Sequence, residues 1–135
     1  MNPLYFTLPY AWVVLFQDLW GYYSPRTFIS NFGLSTDACA FVWQRILLRV
    51  DNIDPKYLLL VLHYLRCYNT FDVIHLRFGI CDKTSRDWIK YMLQVLEVSL
   101  QTVHISWFSS LISFLYNFLT LDFLDEQIFS KPSFR

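Results

Sequence analysis

Residues 71–93 read FDVIHLRFGICDKTSRDWIKYML. The first eight have the make-up of a short helix, Gly79 ends it, and a second helix opens around Asp82 with Lys83, Thr84, Ser85 and Arg86. Glycine lets a helix stop in the left-handed region and the next one set off in a new direction. Helix–Gly–helix spacing of this kind is the sequence form of a helix-turn-helix, which lays its second helix in the major groove of DNA. Ile74, Phe78, Ile80 and Trp88 stand at spacings that would lock the two helices together. Two positions fit less well. His75 stands where a small residue is usual, and Ser85 where an aliphatic one is. A plain helical hairpin is the competing reading.

The second helix, expected over Lys83–Val103 with Asp82 as its cap, is the most periodic segment of the chain. At about 100° per residue, Lys83, Arg86, Asp87, Lys90, Gln94, Glu97 and Gln101 fall within roughly 100° of one another. Apolar residues fill much of the rest, so the pattern predicts one solvated stripe on a mostly buried helix. If this helix enters a groove, Lys83, Arg86 and Lys90 are its candidate DNA contacts, with Arg77 just before the turn. Thr84 and Ser85 could reach phosphates or base edges. The same charges would also serve a face that is merely solvated.

Upstream, the chain is punctuated as a series of helices. Asp54-Pro55 opens Lys56–Tyr68, which is apolar almost all round and therefore predicted to be central. Ser24-Pro25 pairs an N-cap with proline at the first helical position, and Gly33 closes that short helix. Ser35 or Thr36 caps a longer one, about Asp37 to Arg49, with apolar residues at three- and four-residue steps. Phe32-Gly33-Leu34 echoes Phe78-Gly79-Ile80. Residues 1–23 hold two prolines and a weak helix, Ala11–Trp20, and read as an apolar extension or packing arm.

The composition fits a buried, helix-rich domain. The chain is 55% hydrophobic and 16% charged, against a usual ~45–50% and ~25%, which argues against disorder. Formal net charge is zero, so any affinity for nucleic acid must come from local clustering. Cys39, Cys67 and Cys81 give neither a disulfide framework nor a metal-binding spacing, and read as buried or half-buried free thiols. No metal site or cofactor is expected. The apolar N-terminus has no positive flank, so it does not read as a signal peptide.

At this point the residues are similar to the N-terminal helix-turn-helix region of DDE-superfamily transposases of the Harbinger/IS5-like kind. The resemblance rests on Pro55, Leu58, Leu59, Leu62, Leu65, Tyr68, Thr70, Phe78, Gly79, Lys83, Thr84, Arg86 and Trp88. Ile105-Ser106-Trp107 and the upstream Phe28, Phe32-Gly33-Leu34-Ser35, Cys39 and Trp43 extend it over roughly 26–107. It implies double-stranded DNA as partner, and the nucleus as location in a eukaryote or the cytoplasm otherwise. In such enzymes the first catalytic Asp follows soon after. Asp122 in Leu121-Asp122-Phe123, with Glu126 beyond, is the nearest counterpart here. Metal-assisted strand transfer needs three carboxylates. The expectation is a truncated or decayed copy that targets DNA and is not itself an enzyme.

From Val98 to Leu121 there is no charged residue. This run is long enough to raise a membrane span, though it holds several hydroxyl and amide side chains and lacks flanking basic clusters. It would otherwise pack on a catalytic domain or favour self-association. The sequence thus predicts an all-α bundle: an apolar extension at 1–23, a helical domain at 24–107 with the helix-turn-helix at 71–93, and an apolar segment of uncertain structure at 108–135. The alternative function is that of a small membrane-associated or protein-interaction helical protein.

Overall fold

The computed structural model describes residues 2–67 and 69–100. Among them a 3-10 turn, Pro3–Thr7, is followed by six α-helices and no strand. The helices are α1 (Pro9–Trp20), α2 (Pro25–Phe32), α3 (Thr36–Leu47), α4 (Lys56–Cys67), α5 (Phe71–Phe78) and α6 (Asp82–Leu100).

Local chemistry sets most boundaries. The Ser35 hydroxyl accepts from the Ala38 N–H at 3.2 Å and the Thr70 hydroxyl from Val73 N–H at 3.5 Å, capping α3 and α5. Asp54 accepts from the Lys56 N–H at 3.0 Å ahead of α4. Ser24 holds the cap position of α2 but makes no side-chain cap bond, which leaves Pro25 as the starting device. Gly33 and Gly79 close α2 and α5 with φ of +75° and +70°, so the two sequence echoes share one stop geometry.

Helix α4 is the centre of the bundle. Tyr57, Leu58, Leu59, Leu60, Val61, Leu62 and His63 are all buried, because α2 and α6 flank it on different sides. Tyr57 stacks on Trp88 of α6 with ring centroids 3.9 Å apart and planes within 5°. Burial, with Asp54 nearby, pushes the Tyr57 hydroxyl up to about 12.

The N-terminal residues belong to this core, as a packing arm would and a loose extension would not. Phe6, Ala11, Trp12 and Phe16 are buried in the same cluster as α4 and α6. The Trp12 indole donates to the Phe6 carbonyl at 2.7 Å, and the Trp43 indole of α3 donates to the Pro3 carbonyl at 2.8 Å. These bonds explain the turn at Pro3–Thr7, which local pattern did not reveal: it satisfies two buried tryptophans. The thiols also depart from expectation in part. Cys39 is buried, and burial raises its pKa, but Cys67 and Cys81 are exposed.

Candidate nucleic-acid interface

Helices α5 and α6 are joined by residues 79–81, and the buried Ile74, Phe78, Ile80 and Trp88 fill the space around the joint. The two residues that fit the pattern poorly both serve this turn. His75 Nδ1 lies 3.2 Å from the Ile80 carbonyl oxygen, and the Ser85 hydroxyl donates to that same oxygen at 3.3 Å. A polar staple thus crosses the turn. Nδ1 is the donor, since a carbonyl oxygen only accepts.

Gly79 donates its N–H to the His75 carbonyl at 2.8 Å, and a Cβ there would meet nothing within 4 Å. A substitution is therefore opposed by the positive φ alone. Gly79→Ala should cost about 1–2 kcal/mol, the usual penalty for an L-residue in the left-handed region. Gly79→Asn should cost less, since Asn tolerates that region. Urea titrations of the two variants check the order. Equal stability of Ala and wild type would mean that the turn relaxes.

Helix α6 starts one residue earlier than its sequence suggests. Ser85 N–H donates to the Cys81 carbonyl at 2.8 Å, so Cys81 precedes the first helical residue and Asp82 lies inside. The Cys81 thiol lies 3.2 Å from the Thr84 hydroxyl. Hydrogen bonds from the Thr84 side chain, then from the Thr84 and Lys83 backbone, hold that thiol below its ordinary range.

These contacts sort the candidate site residues into three groups. Lys83 and Arg86 are exposed and Lys90 is half-buried, and all three share the outer stripe of α6. Thr84 and Ser85 turn inward. Ser85, expected as a DNA contact, is fully buried, and its hydroxyl donates to the Ile80 carbonyl. Thr84 is 5% exposed and partnered by Cys81, so its hydroxyl is withdrawn as well. Arg77 is held apart from the stripe, its guanidinium 4.7 Å from the centroid of Trp20 in α1. The solvated stripe itself is shorter than the periodicity suggests: Gln94 is buried and Glu97 half-buried.

Arg86 is seated on an aromatic platform. Its guanidinium lies 4.7 Å from the Phe71 ring centroid, and Phe71 stacks on Tyr64 of α4 at 5.9 Å. Arg86 also pairs with Asp82 at 3.7 Å, and Lys83 pairs with Asp87 at 3.7 Å. The platform could not be found from sequence, because it depends on how α4, α5 and α6 meet. The ion pairs could have been, from their four-residue spacing.

The arrangement defines a helix-turn-helix whose second helix carries two exposed cations, Lys83 and Arg86, and the half-buried Lys90. Residues 57–102 match the family model described as the helix-turn-helix of DDE superfamily endonuclease. The segment from α4 through α6 is thus similar to the helix-turn-helix of DDE superfamily endonucleases. Neither a curated protein nor a solved structure matches the chain. Among the described residues no helix is long and apolar enough to cross a membrane, and no group of three or more His, Cys, Asp or Glu is placed to hold a metal ion. Residues 101–121 of the apolar run, with Asp122 and Glu126, lie outside the described residues.

Proposed function

We propose that the chain binds double-stranded DNA through α6, as the targeting part of a transposase-derived protein. The observation that carries this is the clustering of the exposed Lys83 and Arg86 with the half-buried Lys90 on one stripe of the second helix of the matched unit. Lys83 and Arg86 lie in the first turns, where groove contacts concentrate in such units. A planar guanidinium suits guanine or phosphate, and an ammonium suits phosphate as a point charge. The face of Phe71 restricts the Arg86 side chain before binding, so less freedom is lost on contact. Ser85 and Thr84 support the helix start from within, and Arg77 braces α5 against α1. In a eukaryotic cell this function belongs in the nucleus.

The test is a titration of short duplexes at several salt concentrations. Binding should weaken steeply with salt, because cations that neutralise phosphates release counterions. Lys83→Ala with Arg86→Ala should lower affinity by about 30–150-fold, at roughly 1–1.5 kcal/mol per contact, and should flatten the salt slope by one to two contacts. Both side chains are exposed, so the thermal melt should change little. Salt-insensitive binding by the wild type, or unchanged binding by the double variant, would overturn the proposal.

A further inference from the structure

The outer stripe of α6 carries acid as well as base. At about 100° per residue, Asp82, Arg86, Lys90, Lys83 and Asp87 follow one another around the helix at roughly 0°, 40°, 80°, 100° and 140°. The three cations occupy the middle, and one carboxylate stands on each edge. Each edge carboxylate is paired with a cation: Asp82 with Arg86 and Asp87 with Lys83, both at 3.7 Å.

Helix stability does not account for both acids. The paired side chains are open to solvent, 77% and 38% exposed for Lys83 and Asp87, 61% and 58% for Arg86 and Asp82. Ion pairs this exposed add little to a fold. Asp82, in the first turn, at least favours the helix dipole and precedes its cation. Asp87 is beyond that turn, and it follows its cation, the less favourable order. What both carboxylates do unavoidably is lower the positive potential of the stripe.

We propose that Asp82 and Asp87 are specificity-determining residues that suppress sequence-independent attachment to the phosphate backbone. This rests on the DNA-binding role of α6 proposed above. Non-specific affinity grows with the number of phosphates that cations neutralise. Here Lys83 and Arg86 are already paired with carboxylates. On an arbitrary duplex the edge carboxylates face phosphates and base acceptors, which repel them. On a matching site a carboxylate accepts from a cytosine amino group while its former partner donates to guanine or phosphate. The ion pairs are thus exchanged for base contacts at the right sequence and broken without return elsewhere. The effect is on the ratio of specific to non-specific binding, the quantity that matters in a genome.

The experiment measures binding of the full chain to a short duplex of mixed sequence, at fixed salt and across a salt series. Asp82→Asn with Asp87→Asn should bind about tenfold tighter, with a salt slope steeper by one to two phosphate contacts. Asp87→Asn alone, which leaves the first helical turn intact, should show a smaller gain of the same sign. Asp18→Asn with Asp37→Asn is the control. It changes net charge equally, at exposed positions on α1 and α3. That variant should stay within about twofold of wild type, because neither carboxylate stands on the α6 stripe or pairs with its cations. If the wild type binds with salt dependence but the α6 variants gain no more than the control, this proposal fails and the DNA-binding role stands. If no variant shows salt-dependent binding, both fail.

Discussion

Trp12→Ala should remove about 3–5 kcal/mol of folding stability, the usual cost of truncating a buried aromatic. Trp12 is wholly buried, edge-on to Phe6 at 5.0 Å and to Trp43 at 5.8 Å. Its indole N–H is the donor to the Phe6 carbonyl at 2.7 Å, so the truncation also strands a buried acceptor. Domains of this size are stable by only about 5–15 kcal/mol, so the variant would be at or near its folding limit. Chemical denaturation followed by tryptophan fluorescence and far-ultraviolet circular dichroism measures the loss. If residues 1–23 were a dispensable arm, the change would be below about 1 kcal/mol and the helical signal would survive their removal. The packing instead predicts that removing them unfolds α3 as well, because Trp43 would lose both its ring contact and the Pro3 carbonyl.

That N-terminal packing shows where sequence reading succeeds and where it stops. Helices α2 to α6 were legible because their ends carry local signals: Ser35, Asp54, Thr70, and the glycines at 33 and 79. The central place of α4 was legible from its composition, since a helix apolar on all sides needs neighbours on all sides. The role of residues 1–23 was not. Phe6, Trp12 and Phe16 are apolar in any context. Only their meeting with Trp43 and Phe32 separates an integral helix from a loose arm, and that meeting is made across long sequence separations.

The candidate site divides along the same line. The stripe of Lys83, Arg86 and Lys90 follows from helical periodicity, which needs no tertiary information. The inward turn of Ser85 does not. A serine at that position is compatible with a phosphate contact or with an internal bond, and the Ile80 carbonyl decides it. The misfit of His75 and Ser85 to the usual pattern was visible in the sequence. Its resolution was not, since two separate side chains converge on one oxygen across the turn. Arg77 is a similar case: whether it reaches outward or lies on Trp20 depends on where α1 packs.

Acid should loosen this site from within, through His63. The imidazole is 3% exposed and ringed by Trp20, Phe32 and Phe78, with centroids 5.8, 6.1 and 5.8 Å away. Its Nδ1 faces the Asn31 carbonyl at 3.3 Å, and its Nε2 accepts from the Asn69 amide at 2.8 Å. Burial lowers its pKa, the Asn31 carbonyl works against that, and Arg77 lowers it further. The folded chain therefore takes up a proton here less readily than the unfolded chain, whose histidine titrates near 6.5. Stability is complete above that value and declines as pH falls below it, by at most about 1.4 kcal/mol per pH unit. Turning the Asn69 amide over would relieve its clash with a protonated Nε2, but not the loss of water around the charge. Urea midpoints measured from about pH 7 to about pH 5, above the main carboxylate range, should fall for the wild type. They should fall less for His63→Gln, which keeps an amide of similar reach and removes the titrating group. Parallel slopes for the two proteins would show that His63 is not the sensor. Because His63 touches Asn69, just before α5, and Phe78, just before the turn, the first structure strained by its protonation is the seat of the helix-turn-helix. DNA affinity should then fall with acid over the same interval in the wild type, and less in His63→Gln.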